Sequence, residues 1–245
     1  MVFDGETPLM LPPALAVITA RGGSSRVPRK NIRLFCGRPM VAWPTRAACT
    51  SGLLQRVVIS TDDEEIAAAA QAEGAERPFA RPPELADAHS TTADVLRHAL
   101  QTLQCQTGSL PPWCCCLYGT SALVTPAMLH RAAALAQKEG TELVMAVTPY
   151  SHPIERGLTL DDSGLLRYLR PECVSMRTQD FTPVWHDAGL LYWFSVPAFL
   201  SEGGHSFAPL QKRALPVSAL EAVDIDTQDD WEFAEIVARY RGLDA

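Results

Sequence analysis

Short apolar runs and amphipathic stretches alternate along the first 150 residues of the chain. Brief, uninterrupted apolar runs predict buried strands, and four runs fit this pattern: residues 15–19, 56–60, 113–118 and 143–147. Apolar residues at helical spacing between capping and stop signals predict helices at residues 40–50, 61–74, 93–103 and 125–140. In the second helix, Thr61 is the predicted N-cap and Glu64 the residue that completes a capping box. Together these elements predict an α/β fold with a doubly wound, mostly parallel sheet.

The pattern changes after residue 149. Residues 158–160 and 165–168 flank a polar turn and predict a β-hairpin, and the strongly apolar run 190–194 predicts a strand that returns to the main sheet. We therefore expect a single domain over residues 1–245, with residues 150–190 as a small antiparallel insertion that acts as a lid or a dimer arm.

Charge and hydropathy restrict the class of protein. The 245 residues carry a formal net charge of −7, with 47% hydrophobic and 20% charged residues. A negative charge argues against nonspecific binding to nucleic acid or to an anionic membrane. No apolar run approaches the length of about 18 residues that a membrane span requires. Residues 1–13 contain no basic residue, so we expect a lead-in rather than a signal peptide, and a cytoplasmic location.

Seven cysteines occur, but they predict neither a disulfide framework nor a metal site. Residues 114–116 are all cysteine, and no C-x-x-C pair occurs. On a strand the middle of three residues faces away from its neighbours, so the three thiols cannot converge on one metal. We expect small buried apolar residues in a reducing compartment.

A loop rich in glycine, serine and basic residues follows the first predicted strand. Residues 20–31 run Ala-Arg-Gly-Gly-Ser-Ser-Arg-Val-Pro-Arg-Lys-Asn, with four cations, Arg21, Arg26, Arg29 and Lys30. Backbone N–H groups with little side-chain bulk, surrounded by cations, suit a triphosphate. A solvated basic turn is the alternative, which so many cations in an acidic chain disfavour. Neither a Walker A loop nor a G-x-G-x-x-G fingerprint is present.

Asp224 and Asp226 form a second candidate site, at the predicted junction of a strand and the last helix. Residues two apart on an extended segment face the same way. Two carboxylates with phosphate oxygens supply the ligands that Mg²⁺ prefers, so we predict Mg²⁺ as the cofactor. The alternative is ordinary acidity at a helix start. This alternative explains Asp229 and Asp230, with Thr227 as the N-cap. It leaves Asp224 and Asp226 unexplained, and we assign these two carboxylates to the metal.

Candidates for a second substrate site lie in and after the insertion. His186 and Asp187 are adjacent on a predicted strand and point to opposite faces, which disfavours a triad-type pair. We predict that they line a substrate pocket, with a structural histidine as the alternative. Arg177 and Gln179 suit a carboxylate or hydroxyls, although each alone is also typical of a surface. No G-x-S-x-G and no zinc-type histidine spacing support a hydrolase or a zinc protein.

Four motifs follow one another along the chain: the loop at residues 20–31, Val-Ile-Ser-Thr-Asp-Asp-Glu-Glu-Ile-Ala at 58–67, Phe-x-Arg-Pro-x-Glu-Leu at 79–85, and Asp-Ile-Asp-Thr at 224–227 with Asp-Trp close behind. Their order and spacing resemble the acylneuraminate (sialic acid-type) cytidylyltransferase family over nearly the whole chain. Segments 176–180 and 186–194 are most similar to its pseudaminic acid branch.

The resemblance implies a nucleotide-diphospho-sugar transferase type of fold and transfer of a cytidylyl group from CTP to the anomeric hydroxyl of a nine-carbon keto sugar acid, with release of pyrophosphate. It implies that CTP is held by Ala20, Arg21, Gly22, Ser24, Lys30, Asn31, Arg81 and Thr120. It also implies that Asp224 and Asp226 hold Mg²⁺, that Arg21, Lys30 and this pair are catalytic, and that the sugar lies over Arg177, Gln179, His186 and Asp187. Family members are commonly dimers, so a homodimer is expected.

Three positions depart from the family pattern. Ser25 stands where a lysine is usual, and Gly119 and Ala122 replace two prolines. The missing cation is expected to weaken the stabilisation of the transition state unless a neighbouring arginine substitutes. The missing prolines are expected to loosen the loop at Thr120.

Two alternatives remain open at this stage. One is the same reaction on N-acetylneuraminic, legionaminic or 3-deoxy-octulosonic acid. The other is a non-catalytic nucleotide- or sugar-binding relic, against which the intact carboxylate pair argues.

Overall fold

A six-stranded sheet forms the centre of the molecule. The computed structural model describes residues 12–24, 26–87 and 89–243, so most of the predicted N-terminal lead-in lies outside the described residues. The sheet contains β1 (Ala14–Thr19), β4 (Leu54–Ser60), β5 (Trp113–Tyr118), β6 (Leu143–Pro149), β9 (Trp185–Ser195) and β10 (Lys212–Pro216). Their spatial order is β4-β1-β5-β9-β6-β10, in which only β9 runs antiparallel to its neighbours. The predicted mostly parallel sheet is confirmed.

Six α-helices accompany the sheet in the described part of the chain, and the last of them has Thr227 as its N-cap, as predicted. They are α1 (Ala42–Thr50), α2 (Glu64–Ala72), α3 (Thr92–Thr107), α4 (Pro126–Ala136), α5 (Val196–Ser201) and α6 (Gln228–Tyr240). Helix α3 extends four residues beyond the predicted end at residue 103, to a left-handed cap at Gly108 with φ of 76°. Helix α4 ends at Ala136, before the Gly140 that the sequence suggested.

The start of α2 differs from the predicted capping box. Asp63 is the N-cap, and its Oδ1 accepts from the backbone N–H groups of Glu65 and Ile66 at 2.9 and 3.0 Å. Thr61 lies two residues too early to cap the helix, and its Oγ1 accepts from the Asp63 N–H at 3.2 Å. Glu64 pairs with Arg77 rather than reaching back to the backbone. The Asp63 carboxylate is the better-placed acceptor, because Asp63 immediately precedes the first helical residue and has the extended backbone of an N-cap, with φ −112° and ψ 126°.

Helices cover both faces of the sheet, as a doubly wound fold requires. One face packs against α1, α2 and α4, and the other against α3 and α5. The cysteine run of β5 divides between them: Cys115 belongs to the first core, and Cys114 and Cys116 to the second. All three are fully buried, which confirms the prediction that they act as small apolar core residues.

Two small hairpins complete the described fold. Strands β2 (Leu34–Phe35) and β3 (Arg38–Pro39) follow the basic loop. Strands β7 (Leu158–Leu160) and β8 (Leu166–Tyr168) form the predicted hairpin of the insertion. The pairings Leu158 with Tyr168 and Leu160 with Leu166 place four large apolar residues on one hairpin face, and each is about half exposed or more. None of the helices in the described part of the chain has the length and apolar character of a transmembrane span.

Candidate active site

A cavity of about 260 Å³ lies at the carboxyl ends of β1 and β5. Thr19 and Tyr118, the last residues of these two strands, form part of its lining. The cavity brings together five of the predicted site residues, Arg21, Lys30, Asn31, Arg81 and Thr120. These residues are up to 99 positions apart in the chain, and they meet because parallel strands end at the same edge of the sheet.

The basic loop is fastened to its neighbours by backbone and side-chain hydrogen bonds. Ala20 is buried, and its N–H donates to Ser60 O at 3.1 Å. Asn31 Nδ2 donates to Arg21 O at 2.9 Å, and Gly22 N donates to Asp62 Oδ1 at 3.0 Å. Ser24, in the same loop, is half-buried. The departure at Ser25 falls outside the described residues.

Gly119 sits where the β5 loop meets the basic loop. A Cβ at this position would lie 2.6 Å from Asn31 Oδ1 and 2.7 Å from Ala20 Cβ, so no larger residue fits without a shift. The Gly119 N–H donates to Thr19 O at 2.9 Å, and the Ala122 N–H donates to Thr120 O at 2.8 Å. Proline could make neither bond. Hydrogen bonds and close packing thus hold this loop at the two positions where prolines are usual, and the expected loosening stays a prediction.

Arg81 is a buried cation at the floor of the cavity. Its guanidinium donates to Ser60 O through Nη2 and to Ser60 Oγ through Nε at 3.2 Å. Burial lowers its pKa to about 10, against an opposing effect from the nearby Asp62 carboxylate. Arg81 therefore remains charged at neutral pH and supplies a fixed positive field to whatever occupies the cavity.

Two cations of the basic loop converge on the predicted carboxylate pair. Arg26 Nη1 lies 2.8 Å from Asp226 Oδ2, and Lys30 Nζ lies 3.6 Å from Asp226 Oδ1 and donates to Ile225 O. Residues 223–227 are not a strand, contrary to the prediction. Instead of a neighbouring strand, Lys30 donates to Ile225 O, and the Asp230 carboxylate accepts from the N–H groups of Asp226 and Thr227.

The carboxylate pair fits a divalent cation electrostatically. Partial burial raises the pKa of Asp224, and the neighbouring Asp226 carboxylate raises it further. The Asp224 carboxyl also lies against Gly189 of β9, where a Cβ would be 3.6 Å from it. No cluster of three or more His, Cys, Asp or Glu side chains suited to a metal occurs among the described residues. A cation bound here would thus take two protein carboxylates and its other ligands from a substrate or water, the arrangement that Mg²⁺ favours.

A second cavity, of about 340 Å³, adjoins the first. Thr92 and Tyr118 line both cavities, so the two spaces are neighbours. The second cavity also contains Asp187, whose Oδ2 accepts from the Tyr192 hydroxyl. Tyr192 stacks on Phe207 with ring centroids 5.3 Å apart. An apolar wall with a carboxylate beside it suits a ligand with both ring carbons and polar N–H or O–H groups.

The other predicted substrate residues lie elsewhere. The His186 ring contacts Tyr150 at a tilt of 52°, with ring centroids 4.7 Å apart, and its Nδ1 lies 2.9 Å from Asp187 O. Arg177 pairs with Asp180 at 2.9 Å, and Gln179 is exposed beside it in the insertion. None of these three side chains lines either cavity within the described chain.

Sequence reasoning missed Thr92, Tyr118 and Tyr192 as site residues. Tyr118 is the last residue of β5, and its place at the carboxyl end of a parallel strand is a usable signal. Thr92 and Tyr192 carry no such signal, because only the packing of α3 and β9 against β5 brings them to Tyr118.

The α/β fold defines the class of protein together with the cavity at the carboxyl ends of β1 and β5 and the basic loop that faces a carboxylate pair. These features are those of an α/β nucleotide-binding protein. A cytidylyltransferase family model matches residues 15–187. The chain belongs to the cytidylyltransferase family, as the sequence motifs predicted.

Curated relatives and a solved structure agree with this assignment. A pseudaminic acid cytidylyltransferase of Campylobacter jejuni subsp. jejuni serotype O:2 is 35% identical over 227 residues, covering 91% of this chain and 95% of that protein. A CMP-N,N'-diacetyllegionaminic acid synthase of Legionella pneumophila subsp. pneumophila is 31% identical, covering 90% and 94%. A structure of a CMP:2-keto-3-deoxy-manno-octonic acid synthetase complexed with CTP shares the fold, with a TM-score of 0.67 at 18% identity, covering 93% and 99%.

Proposed function

We propose that this protein transfers CMP from CTP to the anomeric hydroxyl of a nine-carbon keto sugar acid and releases pyrophosphate. One observation carries the proposal: Lys30 of the basic loop lines the cavity that also holds Arg81, and Lys30 and Arg26 both pair with Asp226. Opposed cations and carboxylates of this kind suit a metal-bound polyphosphate. The likeness to cytidylyltransferases over most of both chains supports it.

In this proposal the first cavity binds CTP. Arg21, Lys30 and Asn31 contact the triphosphate with the loop N–H groups, and Arg81 and Thr120 face the nucleoside. These groups hold the α-phosphorus in line with the attacking hydroxyl, so the barrier falls through positioning and charge neutralisation.

Asp224 and Asp226 hold Mg²⁺ in this proposal. The bound ion would neutralise charge on the phosphate oxygens and help pyrophosphate to leave. Arg26 and Lys30, which pair with Asp226 in the structure, would then turn from the carboxylate to the phosphates. Arg26 can thereby supply the cation that the family usually places at residue 25.

The second cavity is the proposed acceptor pocket. It opens beside the nucleotide cavity across Thr92 and Tyr118, so a sugar bound there can present its hydroxyl to the α-phosphate. Asp187 accepts hydrogen bonds from the sugar, and Tyr192 and Phe207 pack on its apolar parts. We favour pseudaminic acid because the pseudaminic acid cytidylyltransferases are the more identical of the relatives compared.

We also propose that the protein is a homodimer and acts in the cytoplasm, where its nucleotide substrate is made. The exposed apolar face of the β7–β8 hairpin supports the dimer. A two-stranded hairpin is marginally stable alone, and an apolar face of this kind marks an interaction surface.

The proposed reaction is tested by pyrophosphate release from CTP and Mg²⁺ with pseudaminic, legionaminic, N-acetylneuraminic and 3-deoxy-octulosonic acids in parallel. We expect the highest kcat/KM with pseudaminic acid. A higher value with another acid would reassign the acceptor within the same reaction. No release with any acid, from protein that still binds CTP, would contradict the proposal.

A further inference from the structure

The second cavity extends away from the nucleotide cavity along one face of the sheet. Pairing between neighbouring strands forms one row of residues across β5, β9, β6 and β10, which consists of Cys114, Phe194, Leu143 and Lys212. Tyr118, which lines both cavities, is four residues further along β5 than Cys114. With a rise of about 3.3 Å per residue, this row lies roughly 13 Å from Tyr118 along the strands. The cavity therefore has a near end beside the nucleotide and a far end at Leu143 and Lys212.

The chemistry of a keto sugar acid decides which part of the acceptor reaches the far end. Its carboxylate is bonded to the anomeric carbon, and the same carbon carries the attacking hydroxyl. These two groups therefore lie together at the near end, where Thr92 and Tyr118 border the nucleotide cavity. The far end consequently receives the carbons that are most distant from the anomeric carbon, with the substituents that they carry.

Two hydrogen-bond donors line the far end. Lys212 Nζ donates to Ala208 O at 2.6 Å and to Leu210 O at 3.0 Å. An ammonium group has three N–H donors, so one of them remains for a ligand. Ser206 Oγ accepts from the Ala208 N–H at 3.0 Å, which leaves its hydroxyl proton to donate. Because Lys212 and Ser206 both bind Ala208 and both line the cavity, they offer two neighbouring donors to one acceptor atom of a ligand.

Apolar side chains surround these donors. Leu143 and Met145 are two residues apart on β6, so they lie on the same face of the sheet, which is also the face of Lys212. Met145 pairs with Tyr192 beside a bulge in β9, and the Tyr192 ring stacks on Phe207. A substituent that enters the far end therefore meets hydrogen-bond donors and an apolar wall together.

We propose that the far end is a subsite for an acylamino substituent of the acceptor sugar and that Lys212 determines the preference for it. The acyl carbonyl accepts from Lys212 and Ser206, and the acyl methyl packs on Met145 and Phe207. A hydroxyl at the same carbon is too short to make both contacts. This inference rests on the proposed function, since it assigns the second cavity to the acceptor.

A matched pair of acceptors tests the subsite by steady-state kinetics. One is di-N-acetylated pseudaminic acid, and the other is a synthetic analogue with a hydroxyl in place of the acylamino group further from the anomeric carbon. The unmodified protein should prefer the first by roughly 10- to 100-fold in kcat/KM, because the analogue loses a hydrogen bond to a charged group and a buried methyl. The preference should arise from the acceptor KM, with kcat values within about threefold of each other.

Two variants test the assigned contacts. Lys212→Met removes the donor at a similar side-chain length and should lower the preference by roughly tenfold. Met145→Ala removes apolar contact, leaves the bonds of Lys212 in place and should lower the preference by roughly threefold. In both, kcat/KM for the hydroxyl analogue and the Kd for CTP should stay within about threefold. Lys138→Met, at an exposed lysine that lines neither cavity, is the matched control and should change none of these values.

The outcomes separate this inference from the proposed function. Equal kcat/KM for the two acceptors, or a preference that either variant leaves unchanged, would overturn the inference alone. So would a loss of activity in Lys212→Met that is equal for both acceptors, because the lysine would then only hold its loop. Absence of turnover by the unmodified protein with every acceptor would overturn the proposed function and the inference with it.

Discussion

Single glycines decide how closely the loops of the nucleotide cavity approach one another. Gly119 and Gly22 lack the Cβ that would collide with Ala20 in one case and with the Asp63 carboxylate in the other. A single sequence does not distinguish such glycines from ordinary loop glycines. The residue that would collide with a Cβ is distant in the chain and is brought close only by folding. The close approach of Gly119 to Asn31 and Ala20 is therefore visible only in the folded structure.

Gly119→Ala should destabilise the protein and weaken CTP binding. The added methyl would lie 2.7 Å from the rigid Ala20 Cβ, and relief of this contact should cost about 1–3 kcal/mol of unfolding free energy. Chemical denaturation and CTP titration measure the two effects. Gly23→Ala is the matched stability control, since its Cβ would meet nothing within 4 Å. Equal stability of the two variants would refute this account of the loop.

Asp226→Asn should separate catalysis from nucleotide binding. Pyrophosphate release should fall by roughly 100-fold or more, because an amide holds a divalent cation poorly. CTP titrated without Mg²⁺ should bind more tightly, since Arg26 and Lys30 lose the carboxylate that occupies them. Asp229→Asn, at the start of the same helix, is the matched control and should leave both values unchanged. Weaker metal-free CTP binding by Asp226→Asn would contradict the proposed exchange of partners.

Among the elements, those with strong local patterns were predictable and those created by packing were not. The core strands β1, β4, β5 and β6 have uninterrupted apolar runs, and α4 and α6 have clear caps. Strand β10 is an edge strand in which only Leu215 is buried, so its apolar pattern is weak. The bulge in β9 depends on pairing with β6 and leaves no periodic trace in the sequence.

The capping box of α6 makes a pH-dependent contribution to stability. Hydrogen bonds from the Thr227 hydroxyl and from backbone N–H groups lower the pKa of Asp230. A carboxyl with a lower pKa in the folded state stabilises that state above its unfolded pKa and loses the effect as pH falls through the folded pKa. Asp230→Ala should therefore cost about 1 kcal/mol at pH 7 and progressively less below about pH 4.

Urea denaturation across this pH range measures the effect. Asp229→Ala, in the same turn, should cost less, because it loses only the interaction with the helix dipole. A deficit for Asp230→Ala that stays constant down to pH 2.5 would show that the charge of Asp230 does not contribute.

At the scale of the whole molecule, the exposed apolar hairpin of the insertion supports the proposed homodimer. The hairpin face formed by Leu158, Leu160, Leu166 and Tyr168 is exposed in a single chain. The combined variant Leu160→Asp and Leu166→Asp should convert a dimer to a monomer when mass is measured by light scattering after gel filtration. Ile236→Asp, at an equally exposed apolar position on α6, should leave the dimer intact. If the unmodified protein is a monomer, the proposed dimer does not exist. If only Ile236→Asp abolishes the dimer, the interface lies at α6 and not at the hairpin.

The central claim is that the α-phosphorus of CTP moves to the acceptor sugar. Phosphorus-31 NMR of CTP, Mg²⁺ and pseudaminic acid with catalytic protein tests it most directly. The account predicts that the three CTP resonances are replaced by one phosphodiester resonance and pyrophosphate, in equal amounts and only when the sugar is present. Free CMP with pyrophosphate formed without sugar, or release of inorganic phosphate with CDP, would contradict it.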